Sequence, residues 1–274
     1  MKLFKGTVAW AGVLGLAATG MSPAPSAAQT AGPWQFQAAV YAYLPSIGGQ
    51  SKFPIDSGGS SIFISNADIL DALNFAFMGS LEAHNGRWGA FTDVMYLNVE
   101  GSKSRSRDFT ITRFSIPAGT TADLKLDLKG TIWTLAGEYR LATRPGLTLD
   151  LIGGARLFNM KQTLDWAFVG QAGAITGPGQ TGRRKIDASV WDAIVGAKGR
   201  YDFGENRAWS LPFYLDVGTG QSDLTWQASV GLAYQFSWGS VYGAWRYLDY
   251  QLKSNKSIES IDFNGPMIGL AYRW

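Results

Sequence analysis

The sequence predicts an all-β protein, an antiparallel, up-and-down transmembrane β-barrel of about ten strands. The first observation is that apolar and polar residues alternate along many segments of the 274-residue chain, which is the period of a strand with one apolar face. The second is that turn-forming residues such as Asn85-Gly86 separate these segments. The third is that no apolar run beyond the first residues reaches the roughly 18 residues of a membrane-spanning helix. Strands cross a bilayer only as closed barrels, because every backbone polar group must be paired there.

The last segment of the chain, residues 261–274, shows this alternation clearly. Its large apolar residues occupy every second position: Ile268, Leu270, Tyr272 and Trp274. Gly269, Ala271 and Arg273 fill the positions between them. A charged residue beside an aromatic carboxy-terminus is difficult to place in a soluble core. It fits a strand whose apolar face meets lipid while its other face lines a lumen.

Each predicted strand is bounded by turn residues or by a polar loop. The predicted ranges are 34–44, 74–85, 87–101, 124–142, 147–163, 186–202, 209–218, 224–236, 240–252 and a final strand after the connection at 253–257. An even number of strands returns the chain to the side on which it started, as single-chain bacterial barrels require. Pro266 lies inside the final strand, where it cannot donate a ladder hydrogen bond, so we expect a bulge there.

The predicted connections alternate in length through the first half of the chain. Long connections are expected at 45–73, 102–121 and 166–185, and short ones at 85–87 and 143–146. Barrels of this class have short periplasmic turns and longer extracellular loops, so the long connections should be extracellular. Within the first of them, the segment NADILDAL predicts a single helical turn capped by Asn66 or Asp68.

The first 28 residues predict a secretory signal peptide. Lys2 and Lys5 precede an apolar stretch, and Ser26-Ala27-Ala28 has the small-x-small pattern of a cleavage site, so cleavage is expected after Ala28. The mature barrel domain then spans residues 29–274. Removing the two lysines from 24 basic residues leaves 22 against 21 acidic ones, so charge predicts no nucleic-acid partner. The chain contains no cysteine, which excludes disulfides and thiolate chemistry.

Aromatic residues cluster near both ends of the predicted strands. Near the expected periplasmic rim lie Trp34, Trp88, Tyr139, Trp209, Phe236, Tyr272 and Trp274. Toward the other rim lie Tyr96, Trp133, Trp191, Trp226 and Tyr247. Two such belts are typical of the interfaces that bound a lipid-facing band. The alternative is that aromatic residues simply favour strands.

The face opposite the apolar one carries charges of both signs. We expect these residues to form a charge network in the lumen: Glu82, Asp93, Glu138, Arg140, Asp150, Arg156, Asp192, Lys198, Arg200, Asp216, Arg246 and Arg273. Buried charges are tolerated when they are paired or hydrated. A barrel of about ten strands lies near the size at which side chains fill the interior. Ion pairs that fill the lumen are therefore the leading interpretation, and a narrow water-filled path lined by the same groups is the alternative.

Basic residues in the long connections form a second candidate site. These residues are Lys103, Arg105, Arg107, Arg113, Arg183, Arg184 and Lys185. At an extracellular rim, cationic side chains attract the anionic head groups of the outer leaflet, and we expect them to bind lipopolysaccharide phosphates. The alternative is that they are ordinary solvated loop charges.

The sequence gives little support for catalysis or for a cofactor. It has no Gly-rich phosphate-binding loop, and one histidine without any cysteine cannot supply metal-site spacing unless carboxylates dominate. We therefore expect no metal, no cofactor and no enzymatic activity. That histidine, His84, lies beside the Asn85-Gly86 turn at the expected periplasmic end. A soluble exported barrel of lipocalin type is a further alternative, which would bury its apolar face inward.

The whole mature chain resembles small proteobacterial outer-membrane β-barrel proteins. The resemblance rests on the leader, on WQFQAAVYAYL at 34–44, on WRYLDY at 245–250 and on the closing GLAYRW. It implies export through the periplasm to the outer membrane, contact with outer-membrane lipid, and a carboxy-terminal signal at Ile268, Leu270, Tyr272 and Trp274 for the barrel-insertion machinery. Outer-membrane proteases and lipid A hydrolases have similar architectures but use a histidine near the outer end, so no catalytic residue transfers. A structural or surface-interaction role is expected first, a narrow porin-like channel second and an enzyme last.

Overall fold

The computed structural model describes residues 32–51, 60–100, 120–172, 175–176, 180–254 and 258–274. The strands are β1 (Trp34–Tyr43), β2 (Ser46–Ser51), β3 (Ser60–Ile64), β4 (Leu73–Asn85), β5 (Trp88–Glu100), β6 (Thr120–Arg144), β7 (Leu147–Ala172), β8 (Ile175–Thr176), β9 (Gln180–Phe203), β10 (Trp209–Gly220), β11 (Ser222–Gln235), β12 (Ser240–Leu252) and β13 (Ile258–Arg273). A helix, α1 (Asn66–Asp71), follows β3, and a 3-10 turn covers Glu205–Arg207. The predicted signal peptide at 1–28 lies outside the described residues and stays a prediction.

Antiparallel pairing connects the strands into a closed barrel. The order is β1-β4-β5-β6-β7-β9-β10-β11-β12-β13, and β13 pairs back with β1. Because β1 and β13, the first and last strands of this order, pair with each other, the ten strands close into an up-and-down barrel, as the sequence predicts. β2 continues the line of β1 along β13, β3 pairs with β2, and β8 pairs with the end of β7.

The break between β1 and β2 lies opposite Pro266. The amide of Leu44 donates to the Pro266 carbonyl at 3.0 Å, but proline has no N–H to return the second bond of this pair. The strand accordingly stops at Tyr43 and resumes at Ser46. The predicted bulge at Pro266 is wrong, because the β12–β13 register runs without a shift from Ser240 opposite Ala271 to Gln251 opposite Ser260.

Three strands are longer than the sequence predicts. β6, β7 and β9 contain 25, 26 and 24 residues, and β7 and β9 pair as far as Phe168 opposite Gln180. Most of the predicted loop at 166–185 is therefore strand. The pattern failed here because this part of the sheet extends past the membrane, where strand faces need not alternate between lipid and lumen.

The predicted connection at 45–73 also contains ordered structure. It includes β2, β3 and α1, so the expected helical turn is present. Its N-cap is Ser65, whose hydroxyl accepts from the amide of Asp68 at 3.2 Å and donates to the Asp68 carboxylate at 2.6 Å. The predicted caps, Asn66 and Asp68, are wrong because both already lie inside the helix, whereas a capping residue lies just before it.

The outer wall of the barrel is apolar across its middle. Val195 is 62% exposed, Leu270 46% and Leu232 44%, and all three point away from the lumen. A lipocalin-type soluble barrel would bury these side chains, so that alternative is wrong. The described residues contain no helix that is long and apolar enough to cross a bilayer.

Aromatic rings pack against one another at the two edges of this apolar band. At the end that carries the short turns, the ring centroids of Trp88 and Tyr139 are 4.9 Å apart. At the other end, those of Trp226 and Tyr247 are 4.8 Å apart, and Trp133 packs on a neighbouring tryptophan. The two belts lie on the outward face, at the depths where aromatic side chains meet lipid head groups.

Candidate functional site

The central lumen contains two buried arginine–aspartate pairs. The first is Arg156 on β7 with Asp216 on β10, and neither side chain is exposed. Arg156 Nη1 donates to Asp216 Oδ1 at 3.0 Å, and Nη2 contacts the other carboxylate oxygen. Arg156 Nε donates to the hydroxyl of Thr134 at 3.1 Å, and the Tyr214 hydroxyl donates to Asp216. Every charged atom of the pair thus has a partner, which is what burial of an ion pair requires.

The second pair joins Arg246 on β12 to Asp93 on β5. Arg246 Nη2 donates to Asp93 Oδ1 at 3.0 Å and to Gln227 Oε1 at 3.1 Å. Arg246 Nη1 donates at 3.0 Å to the hydroxyl of Tyr41, which itself donates to Asp93 Oδ2 at 2.8 Å. The bonds of Arg246 to Asp93 and Tyr41 run across the lumen, between strands that the backbone does not pair, whereas Gln227 lies on the neighbouring strand β11.

A larger cluster of charges lies closer to the short-turn end. Lys198 Nζ is 2.6 Å from Glu82 Oε2 and also contacts Glu138, and its ammonium lies 4.7 Å from the centroid of the Phe91 ring. Arg140 forms a bidentate pair with Asp150, with Nε donating at 2.8 Å and Nη2 at 3.1 Å. The cluster therefore connects β4, β6, β7 and β9.

His84 lies at the centre of this cluster, and the sequence analysis did not include it in the charge network. Its Nε2 contacts Glu138 and lies 3.2 Å from Glu82 and 3.8 Å from Asp150. Gly89 makes this possible, because it is the β5 residue opposite both His84 and Glu138, and a Cβ there would meet His84 Nδ1 at 2.5 Å. The two-residue period could have predicted its place in the network, because His84 shares the inward face of β4 with Glu82.

The formal charges of the cluster balance when His84 is protonated. Three carboxylates, Glu82, Glu138 and Asp150, face the two cations Lys198 and Arg140. An imidazolium adds the third positive charge and brings the sum to zero. The cluster therefore has the composition of an internal ion-pair network.

The same residues include one possible metal-ligand set. Glu82, His84 and Glu138 each offer one ligand atom, and these atoms lie within 4.8 Å of one another. This is the carboxylate-dominated case that the sequence analysis left open. Lys198, however, lies between the two glutamates in the space that a divalent cation would need. The arrangement fits a lysine as the resident cation better than a metal ion.

The remaining predicted network residues lie at the edges of these groups. Asp192 lies opposite Arg156 and accepts from the amide of Ser222 at 2.8 Å. Arg200 pairs with Asp202 two residues along its own strand, Nε to Oδ1 at 3.3 Å. Arg273 donates from Nε to the Gln37 side-chain oxygen at 2.5 Å. The structure thus places all the predicted network residues on the inward face.

The half of the lumen toward the long connections is apolar instead, which the sequence analysis did not predict. Buried side chains from the barrel strands, β2 and α1 form one packed cluster there, the apolar plug: Tyr41, Tyr43, Ile47, Ile69, Met78, Met95, Val99, Leu128, Ile132, Phe158, Met160, Ala188, Val190, Leu248, Tyr250, Leu252, Ile258 and Ile261. Leu248 and Tyr250 have no exposed surface, and the ring of Phe158 stacks on Tyr250 at 4.7 Å.

A cavity of about 640 Å³ occupies the polar half. It opens at the short-turn end, where Gln37 and Arg273 line it, and its innermost walls include Tyr41, Gln227 and Arg246. The cavity thus reaches the central ion pairs, on the near side of the apolar plug.

The predicted lipopolysaccharide-binding residues fall in two places. Lys103, Arg105, Arg107 and Arg113 lie outside the described residues. Arg183, Arg184 and Lys185 lie within β9, in its part beyond the outer aromatic belt, and not in a loop as expected. Of these three, Lys185 is exposed.

The closed barrel, its apolar outer band and its charged interior define the class of this protein as an integral outer-membrane β-barrel protein. Bacterial outer membranes are the setting of single-chain barrels with an even number of strands and short periplasmic turns.

No protein-family model matches the chain, and no curated protein matches it. Among solved structures it is similar to the outer membrane protease OmpT from Escherichia coli, with 13% identity and a TM-score of 0.48 over 88% of this chain and 97% of that one. It is also similar to Ail, the attachment invasion locus protein of Yersinia pestis, with 11% identity and a TM-score of 0.31 over 89% and 99% of the two chains. The toluene transporter TodX of P. putida gives 10% identity and a TM-score of 0.33 over 88% and 89%. The assignment of the fold rests on the strand pairing of this chain.

Proposed function

We propose that this protein is a non-conducting outer-membrane barrel with a structural or surface-interaction role. The observation that carries the proposal is the apolar plug, which fills the half of the lumen that faces the extracellular side. Two buried ion pairs cross the lumen directly beneath it. Water and ions would have to pass the apolar plug, which offers no polar path among the described side chains.

The alternative is a narrow porin-like channel. Such a channel needs polar side chains along the whole axis, and the polar half of this lumen meets that condition. The outer half does not, because Phe158, Leu248 and Tyr250 pack together there with at most 1% exposure. A conducting state would require these side chains to move apart.

Conductance in a planar lipid bilayer tests this proposal. We expect the purified protein to give no reproducible current steps, whereas a variant with Phe158→Gly and Tyr250→Gly should give them, because removal of two stacked rings opens the plug. The variant serves as the control for correct insertion. Reproducible channels in the unaltered protein, at the level of the variant, would overturn the proposal and favour the porin-like alternative.

For the surface role, we propose that the basic residues of the outer end bind lipopolysaccharide phosphates. The support is the charge of residues 103–113 and 183–185 together with the extension of β6, β7 and β9 past the outer aromatic belt. Anionic head groups at this level attract cationic side chains.

Substitution of these basic residues by glutamine should reduce the lipopolysaccharide that co-purifies with the protein. Arg87→Gln is the matched control, because Arg87 is an exposed arginine at the opposite end. Equal lipopolysaccharide content in all three proteins would eliminate this role. An enzymatic role has less support, because His84 Nε2 is occupied by Glu82 and Glu138 at the periplasmic end.

The proposal includes the route to the membrane. A signal peptide at 1–28 would direct export, and the outward residues Ile268, Leu270, Tyr272 and Trp274 would present the carboxy-terminal signal to the barrel-insertion machinery. Each of these four side chains is exposed on the outer wall.

A further inference from the structure

The periplasmic mouth of the lumen differs from the rest of it in how its cations are neutralised. Deeper in the barrel each cation has a carboxylate on another strand: Arg140 with Asp150, Lys198 with Glu82 and Glu138, Arg156 with Asp216, and Arg246 with Asp93. At the mouth, Arg200 and Arg273 lack such a partner among the described residues. The mouth is therefore the part of the lumen where positive charge is not balanced by carboxylates on other strands.

Arg200 faces uncharged residues on both neighbouring strands. Thr148 lies opposite it on β7 and Pro212 on β10. Its ion-pair contact is made along its own strand, from Nε to Asp202 at 3.3 Å, and its side chain keeps 35% of its surface exposed. The two terminal nitrogens of the guanidinium therefore keep donors for a ligand.

Arg273 is held by an amide rather than by an acid. Its Nε donates to the Gln37 side-chain oxygen at 2.5 Å, which fixes the side chain while leaving its full positive charge. Gln37 lies directly opposite Arg273 in the β1–β13 pair. The terminal nitrogens of this guanidinium also keep donors for a ligand.

Both arginines line the same cavity of about 640 Å³. They lie on β9 and β13, which three other strands separate, so they approach the cavity from different walls. Ser210, Ser240 and Tyr242, on strands that lie between β9 and β13 in the sheet, also line this cavity. Two guanidiniums that approach one cavity from different walls, with hydroxyl-bearing residues in its lining, suit the oxygens of a tetrahedral dianion.

We propose that the periplasmic mouth of the lumen is a binding site for a phosphate group, held between Arg200 and Arg273. The cavity that contains the site ends at the central ion pairs, with the apolar plug beyond them, so a ligand enters and leaves from the periplasm. The phosphate belongs either to a small soluble molecule or to the head group of a phospholipid in the inner leaflet.

Titration calorimetry with pyrophosphate at low salt, on protein in an uncharged detergent, tests the soluble source. We expect saturable binding that Arg200→Gln with Arg273→Gln weakens about tenfold or more, because each lost guanidinium removes charge-assisted hydrogen bonds. Arg87→Gln is the control, since it removes an arginine at the same end that donates outside the lumen to the Tyr139 hydroxyl. Thr148→Glu is a second variant, which supplies the cross-strand carboxylate that Arg200 lacks and should weaken binding without the loss of either arginine.

Native mass spectrometry after incubation with phosphatidylglycerol tests the lipid source. Loss of lipid adducts in the double variant, with no pyrophosphate binding in any protein, identifies a head-group site. Loss of pyrophosphate binding alone identifies a soluble ligand. The proposal is overturned if neither probe distinguishes the double variant from Arg87→Gln, or if circular dichroism shows an intact barrel whose affinity Thr148→Glu leaves unchanged.

Discussion

The membrane-embedded part of the barrel and its extension beyond the outer aromatic belt have opposite polarity. In the membrane, Val195 and Leu270 face outward and Arg156 faces the lumen. Beyond the belt, Asp187 is exposed on the outer wall of β9, while Val190 on its inner wall has no exposed surface. The strands continue without interruption, so the backbone does not cause the change.

The solvent on the outside accounts for this difference. Lipid tails accept apolar side chains and exclude charge, so the charged residues of the embedded part turn inward, where they neutralise one another. Water surrounds the extension, so the ordinary arrangement of a soluble protein returns, with apolar residues inside. One continuous barrel therefore has two kinds of interior, a charged one within the apolar band and an apolar one that begins near the level of the outer aromatic belt.

The largest expected effect is in the interior of the embedded part. Arg156→Ala leaves the buried Asp216 carboxylate without its partner, and should lower the free energy of unfolding by about 3–5 kcal/mol. Tryptophan fluorescence of the refolded barrel during a urea titration measures this. Arg87→Ala is the control, with an expected change within about 0.5 kcal/mol. A loss as small as that of the control would mean that water hydrates Asp216.

In the apolar plug, stability should depend on close packing rather than on ion pairing. Leu248→Ala removes a fully buried side chain from the apolar plug and should cost about 2–5 kcal/mol. Leu270→Ala makes the same chemical change on the outer wall, where lipid fills the space, so its cost should be smaller. The same urea titration compares the two, and equal losses would show that the plug is loosely packed.

Lysine substitutions on the outer wall should locate the boundary between the membrane-embedded part and the extension. Val195→Lys places a charge near the middle of the apolar band and should cost about 2–4 kcal/mol. Asp187→Lys, eight positions earlier on the same strand and face, meets water and should change stability by about 0.5 kcal/mol or less. Similar losses at both positions would place the bilayer boundary beyond Asp187.

The fold could be predicted from the sequence because its signal is local. Alternation along a strand is set by the two faces of the pleat. The hairpin is where Asn85-Gly86 predicts it, but only Gly86 has a positive φ, of 65°, and Asn85 is the last residue of β4, so the predicted pair of positive-φ residues is wrong. Where the environment changed, the local signal misled. In the extension the apolar residues face inward and the polar ones outward. The sequence pattern therefore predicts β7 and β9 too short and does not identify Leu248 and Tyr250 as part of a plug.

The charge network could be predicted as a set of residues but not as a set of partners. Period two places Glu82, Lys198 and Arg156 on the inward face, and that much needs no tertiary structure. Their partners depend on which strands meet across the lumen. The His84–Glu138 contact needs the open space above Gly89 on the strand between them, and a residue that acts by having no side chain gives no periodic signal.

The sequence by itself determined that this chain is a barrel with one lipid-facing surface. A two-residue period of apolar side chains follows directly from strand geometry, in which alternate side chains point to opposite faces. The tertiary structure alone decided that apolar side chains fill one half of the lumen and that a cavity opens at the short-turn end. The physical reason is that closure brings together residues more than a hundred positions apart, such as Glu82 and Lys198, and their pairing depends on barrel diameter and strand register, which no local pattern encodes.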